Sequence, residues 1–160
     1  MRRKQSGFSL IELLIVVAII LIIAGIAIPS LIQSKMTANE ASAVQTIRDI
    51  NTAESMYAIQ YGQGFSTNLS SLGGTSGPAT TTNSLLIPDP VAQSPNIKDG
   101  FTFIYVVTAS NGPNGTPSSY TLNANPVNSG YTGRRWFFSD ESFVIRQNPT
   151  TSATVNDPSI

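Results

Sequence analysis

The chain opens on a long run of apolar positions. Residues 8–28 make 21 positions, and only Glu12 among them is charged. A helix of that length rises about 30 Å, the thickness of the hydrocarbon core of a bilayer. The pattern predicts a membrane-spanning helix. Beyond Pro29 the apolar positions thin out but keep a helical period. Val44, Ile47, Ile50, Ala53, Tyr57 and Tyr61 recur at three- and four-residue steps, with Glu40, Arg48, Asp49 and Glu54 largely between them. Gly62 and Gly64 end the pattern. The expectation is one helix of about 50 residues, apolar all round in its first half and amphipathic in its second.

Residues 62–100 are rich in Gly, Ser, Thr, Asn and Pro, with only Asp89, Lys98 and Asp99 charged. They read as a long loop with one short turn near residues 85–87. "FTFIYVVTA" (Phe101–Ala109) alternates Phe101, Phe103, Tyr105 and Val107, as a half-buried strand does. The turn cluster "NGPNGTPS" separates it from "SYTLNANPV", residues 119–127. "RRWFF" (134–138) and "FVIR" (143–146) flank "SDES", a hairpin turn. Four antiparallel strands result, with an apolar face for residues 44–61 of the helix. A helix laid on an antiparallel sheet is an α+β architecture. Residues 148–160 read as a mobile tail.

Charge alters this picture mainly at the front. Nine basic and nine acidic residues cancel, and charged residues are only 11% of the chain. No overall basic excess points to nucleic acid. Arg2, Arg3 and Lys4 nevertheless precede the apolar run, and without them the chain is acidic by three. By the positive-inside rule this head stays cytoplasmic and the C-terminus lies outside. There is no Cys and no His. That excludes disulfides, Cys/His zinc sites, thiol nucleophiles and triads with a His base. No paired-carboxylate or Ser/Lys constellation stands out, so an enzyme is not expected.

A secretory signal peptide also has a basic start and an apolar middle, and Gly25 and Ala27 have the spacing of a cleavage site. Glu12 interrupts such a segment, Pro29 crowds the cut, and the helical pattern continues past it. The stretch "GFSLIELLIVVAIILIIAGIAIPS" instead closely resembles the N-terminus of type IV prepilins and type II secretion pseudopilins. The resemblance covers about 30 residues, with the basic leader, the Gly-Phe junction, the acid and the Pro in register. It implies that a prepilin peptidase cuts between Gly7 and Phe8 and methylates the new amine on Phe8. It implies that Glu12 serves assembly by pairing with the N-terminal amine of a neighbouring subunit. The rival reading of Glu12 is an acid that snorkels to the headgroups. Gly25 and Pro29 are breakers, and a kink near Pro29 is the local expectation.

The implied organisation is a cleaved leader (1–7), an assembly helix (8–30), a pilin head (31–147) and the tail (148–160). The implied function is that of a structural subunit of a type IV pilus-like filament, a single-pass protein of the bacterial inner membrane first and part of a periplasmic or cell-surface filament afterwards. Its partners would be further copies of itself, the peptidase, an inner-membrane assembly platform, and lipid before assembly. A secretion pseudopilin or a minor pilin is the alternative within the family, and a membrane-anchored binding domain the alternative outside it. The long neutral loop and small sheet suit a pilin better. Some pseudopilins hold calcium in the head. The available acids are Asp89, Asp99, Asp140 and Glu141, and none lies in a loop of ligand spacing. Asp140 and Glu141 are the nearest to a pair, and turn chemistry explains them. No metal or cofactor is expected. Arg134 and Arg135 alternate across a strand, so a joint nucleic-acid patch is not expected, and one of them should pair with Asp140 or Glu141. Asn68-Leu69-Ser70 and Asn114-Gly115-Thr116 match the N-glycosylation sequon, which says little in a bacterial-type chain.

Overall fold

The computed structural model describes residues 8–74 and 77–160. The basic head with Arg2, Arg3 and Lys4, and Gly7 of the expected junction, lie outside the described residues. Helix α1 runs over Leu10–Tyr61. The chain divides into two units between Lys35 and Met36.

In the first unit α1 is bare. Large apolar side chains from Phe8 (79% exposed) to Leu31 (68%) face outward with nothing over them. The segment is long and apolar enough to cross a membrane. Pro29 lies inside the helix without ending it. A proline removes one backbone bond and presses its ring on the carbonyl four residues earlier. That residue is Gly25, whose missing Cβ gives the backbone room to yield.

The second unit is a sheet with helical segments on one face. Its strands are β1 (Ile97–Lys98), β2 (Phe101–Ala109), β3 (Ser119–Pro126), β4 (Trp136–Asp140) and β5 (Arg146–Asn148). They pair in chain order, all antiparallel. Four strands were expected; β1 is the fifth. It is two residues long and pairs Ile97 with Thr102 and Lys98 with Phe101. A strand so short leaves no alternation to read. β2 and β3 fall within a residue of expectation, because their alternation is strong. β4 starts two residues late, since Arg134 and Arg135 are held by α1. Residues 143–145 are not a strand: Phe143 adopts a left-handed φ of 61° as the turn closes on Asp140.

The core follows from two periods meeting. Phe101 and Phe103 of β2, Tyr120, Leu122 and Ala124 of β3 and Phe137 of β4 project from one sheet face. Against them lie Ala43, Ile47, Ile50, Ala53 and Tyr57 of α1. The connection over residues 62–100 is not a plain loop. Helix α2 (Leu69–Leu72) is capped by Asn68, whose Oδ1 accepts the Ser71 N–H at 2.9 Å, and α3 spans Asp89–Ala92. Leu69, Leu72, Ile87, Val91 and Ala92 join the core from this connection. Leu85 itself adopts a positive φ of 57°, near the expected turn.

Residues 148–160, expected as a mobile tail, have defined contacts. Ala153 is 2% exposed, and its carbonyl accepts a bond of 2.8 Å from Asn123 Nδ2 on β3. Gln147 N–H donates to Pro158 O at 3.0 Å and Ile160 N–H to Ile145 O at 3.0 Å. The segment lies over the β3–β4 part of the second sheet face, which explains why Phe138 is only 6% exposed there. Composition misled here, because Asn, Thr and Asp serve as turn-formers: Asp157 accepts from Thr154 N–H at 2.7 Å and Asn148 Nδ2 at 2.8 Å. Those bonds hold the Asp157 carboxyl below the usual carboxylate range. Ala153→Glu places a charge in this buried spot and is expected to detach the segment. Hydrogen exchange reads this as lost protection at the Gln147 and Ile160 amides; unchanged protection would mean that the Asp157 clasp holds alone.

Candidate assembly helix and its carboxylates

Three glutamates on α1 organise the molecule, each in a different environment. Glu12 stands at the third position of the helix, and Ser9 directly precedes the helix. The Ser9 N–H donates to Glu12 Oε2 at 3.0 Å. This is the returning half of a Ser-x-x-Glu capping box, which satisfies an amide that a helix start leaves unpaired. The sequence reading missed this second employment of Glu12. "SLIE" was its signal. Phe8 is exposed beside it.

Glu40 is 6% exposed in the second unit. Its Oε1 accepts the backbone N–H groups of Arg134 at 2.7 Å and Arg135 at 3.2 Å. Its Oε2 takes Arg135 Nε at 2.8 Å. Arg135 also donates from Nη1 to Gln147 Oε1 at 2.7 Å, and its guanidinium lies 5.5 Å from the centre of the Phe137 ring. The expected partner of the arginines was Asp140 or Glu141. The structure corrects this: Arg135 pairs with α1. Gly133 makes the approach possible, since a Cβ there would lie 2.5 Å from Phe101 Cζ.

Glu54 has no exposure. Ser66 N–H donates to its Oε2 at 2.8 Å, and Ser66 Oγ lies 2.6 Å from its Oε1. Burial pushes the Glu54 carboxyl up, against the lowering pull of the Ser66 bonds and of the Tyr105 hydroxyl. The Tyr105 and Tyr120 hydroxyls are pushed far up, chiefly by burial. A second polar pair completes the seam: Asn51 donates to Ser139 Oγ at 2.8 Å and accepts from Tyr120 Oη at 3.0 Å.

Other expected sites resolve differently. Asp140 Oδ1 accepts the Ser142 N–H at 2.9 Å and the Ser142 hydroxyl, closing the β4–β5 turn. Asp99 Oδ2 accepts Ser42 Oγ at 2.6 Å. No group of three acids, histidines or cysteines gathers for a metal among the described residues. Asn68 is occupied as the α2 cap, and Asn114 sits at a positive φ of 59° in a single 3-10 turn. The Ser66–Glu54 contact has the residue types of a nucleophile and its base, but Ser66 is fully buried and offers nothing to a substrate.

Comparison with known proteins bears on the first glutamate. Residues 2–28 match the model of the prokaryotic N-terminal methylation motif, a span that includes Gly7, Phe8 and Glu12. The type IV wide pilus major component of Thermus thermophilus is 39% identical over 87 residues, 52% of this chain and 66% of that protein. Type II secretion system core protein G is 36% identical over 58 residues in Aeromonas hydrophila and 39% over 57 residues in Vibrio cholerae. The chain carries the N-terminal motif of the type IV prepilin and type II secretion pseudopilin family and is similar to these members of it. It covers less than two thirds of these relatives, 66% of the Thermus protein and 41% and 39% of the two secretion proteins. The family is a structural one. In this prepilin-type chain the bare half of α1 is the motif-bearing half, and the two buried glutamates lie beyond the matched motif.

Proposed function

We propose that the chain is a non-enzymatic structural subunit of a type IV pilus-like filament, polymerised through the bare half of α1. The observation that carries this reading is the exposure of that half. Large apolar side chains from residue 8 to residue 31 stand uncovered, and only Glu12 among the first 21 of these positions is charged. Such a surface requires lipid or other apolar helices around it.

The order of events follows. The helix first resides in the inner membrane, with the basic head inside and the head domain outside. The prepilin peptidase removes residues 1–7 and methylates the Phe8 amine, which keeps its positive charge. An assembly platform then draws the subunit into the filament, where apolar helices replace lipid. Glu12 meets the Phe8 amine of a neighbour, because an unpartnered carboxylate in that setting costs several kcal/mol. Gly25 and Pro29 give the helix a place to bend.

A secretion pseudopilin is the second reading, supported by the likeness to core protein G. The likeness to the pilus component extends over 52% of the chain against 36% for those proteins, which favours the pilus. Intact-mass and N-terminal peptide analysis of membrane and sheared-surface fractions tests both. A chain starting at N-methylated Phe8 in the sheared fraction is expected. The same start in membranes alone would move the subunit to a secretion machine or a minor role. A start at Ile28 would mean an ordinary signal peptide and would end this account of Glu12.

A further inference from the structure

Glu40 meets a cation; Glu54 does not. The groups facing Glu54 are Ser66 in the α1–α2 connection, Tyr57 on α1, Tyr105 on β2 and Tyr120 on β3, with the acids Asp140 and Glu141 beyond Tyr120. None of these groups is basic. An ionised Glu54 would bury a whole charge, with the Ser66 amide and hydroxyl as donors, the Tyr105 hydroxyl beside them and no cation facing it. The Tyr105 hydroxyl donates to Ser66 O at 3.0 Å, so whatever it lends Glu54 is shared with that carbonyl and brings no positive charge.

A protonated Glu54 leaves no such deficit. Its Oε1–H donates to Ser66 Oγ across the 2.6 Å contact. The Ser66 hydroxyl then donates onward to Asn68 O at 3.2 Å. Ser66 N–H still donates to Oε2 at 2.8 Å. Every polar atom keeps a partner and no charge is buried.

We propose that Glu54 carries a proton in the folded head at neutral pH, and that its bond to Ser66 is a proton-operated latch between α1 and the connection to α2. The latch holds more than Ser66. The adjacent Phe65 packs edge-on against Tyr120 at 4.9 Å and reaches Phe143 at 6.5 Å. Loss of the proton would therefore loosen the connection and the aromatic contacts that depend on it.

The sign is fixed by linkage. The folded head keeps a proton that the unfolded chain releases above the ordinary carboxyl range, so folding takes up one proton. The contribution of Glu54 is complete below the unfolded value and is lost as pH rises to the folded one. Across that window the folding constant falls about tenfold per pH unit. A paired carboxylate of the usual kind behaves oppositely.

The test uses the full-length protein in detergent micelles, labelled with 13C at the Glu side-chain carboxyl, and isotope-edited infrared spectroscopy. A protonated-carboxyl band at neutral pH is expected, absent from Glu54→Gln and shifted in Ser66→Ala. Gln reproduces the neutral acid, with an amide to give to Ser66 Oγ and an oxygen to take Ser66 N–H, so it is expected to fold. From about pH 5 to 8, above the ordinary carboxyl range, wild type should lose stability relative to Glu54→Gln. Absence of the band, its persistence in Glu54→Gln, or a wild-type advantage that grows with pH would each overturn the proposal. If the Gln variant fails to fold, the wild-type band and its shift in Ser66→Ala decide. The reading does not depend on filament assembly.

Discussion

Glu40→Ala is expected to destabilise the head by about 3 kcal/mol, measured as a lowered denaturation midpoint of the detergent-solubilised chain. The size comes from what the substitution strands. Removing one partner of a buried ion pair costs about 3–5 kcal/mol in general, because a charge stays behind unpaired. Here the Arg135 side chain is 43% exposed, so water reclaims much of its charge and that part is discounted. The two backbone amides are the larger debt. Arg134 N–H and Arg135 N–H both end on Glu40 Oε1. These bonds are part-buried, so each donor left without an acceptor is put at the lower end of the about 1–3 kcal/mol that a buried one costs. Arg135→Met is the informative companion. It deletes the ion pair but leaves both amides satisfied, and is expected to cost only about 1 kcal/mol. Equal losses in the two variants would mean that the charge pair dominates. A loss below about 1 kcal/mol in Glu40→Ala would mean that the connection before β4 finds other acceptors.

The buried glutamates also show where the sequence was readable and where it was misread. The strands β2 and β3 were plain, because alternation over eight or nine residues leaves no rival period. The apolar half of α1 was plain for the same reason of length. The amphipathic half was assigned correctly as helix and with the right face: Ile47, Ile50, Ala53 and Tyr57 are buried, and Val44 and Tyr61 pack against them. Its buried stripe runs Met36, Glu40, Ala43, Ile47, Ile50, Glu54, Tyr57, in alternating steps of four and three. Glu40 and Glu54 were set largely between the apolar positions, although spacing places both within the stripe. The usual assumption that charge faces water failed at the two positions where a loop needed an acceptor from the helix. The connection over residues 62–100 was illegible for another reason. Helices of four residues and a strand of two show no period, and their core residues arrive singly, as Leu72 and Val91 do. For Glu12 the motif spoke clearly of assembly. The capping bond from Ser9 was written three residues apart in the same motif and was passed over.

That capping bond sharpens the second large prediction. Glu12→Gln is expected to abolish filaments in the sheared fraction while leaving cleavage after Gly7 intact, read by mass analysis of the membrane fraction. Gln keeps the geometry that Glu12 uses inside its own chain, since it also accepts an N–H at the third position of a capping box. What it removes is the negative charge. If Glu12 pairs with a neighbour's Phe8 amine, every subunit contact then buries a cation without its partner. The penalty is about 3–5 kcal/mol for each contact, which lowers the assembly constant by more than about a hundredfold. Glu12→Leu removes the capping bond as well and is expected to behave no differently in assembly, because the charge already accounts for the loss. Two results would break this argument. Filaments of ordinary yield from Glu12→Gln would reduce Glu12 to a helix cap. Filaments lost in Glu12→Leu but kept in Glu12→Gln would place the whole effect in the bond from Ser9, with the first turn of α1, and not the charge, deciding whether a subunit docks.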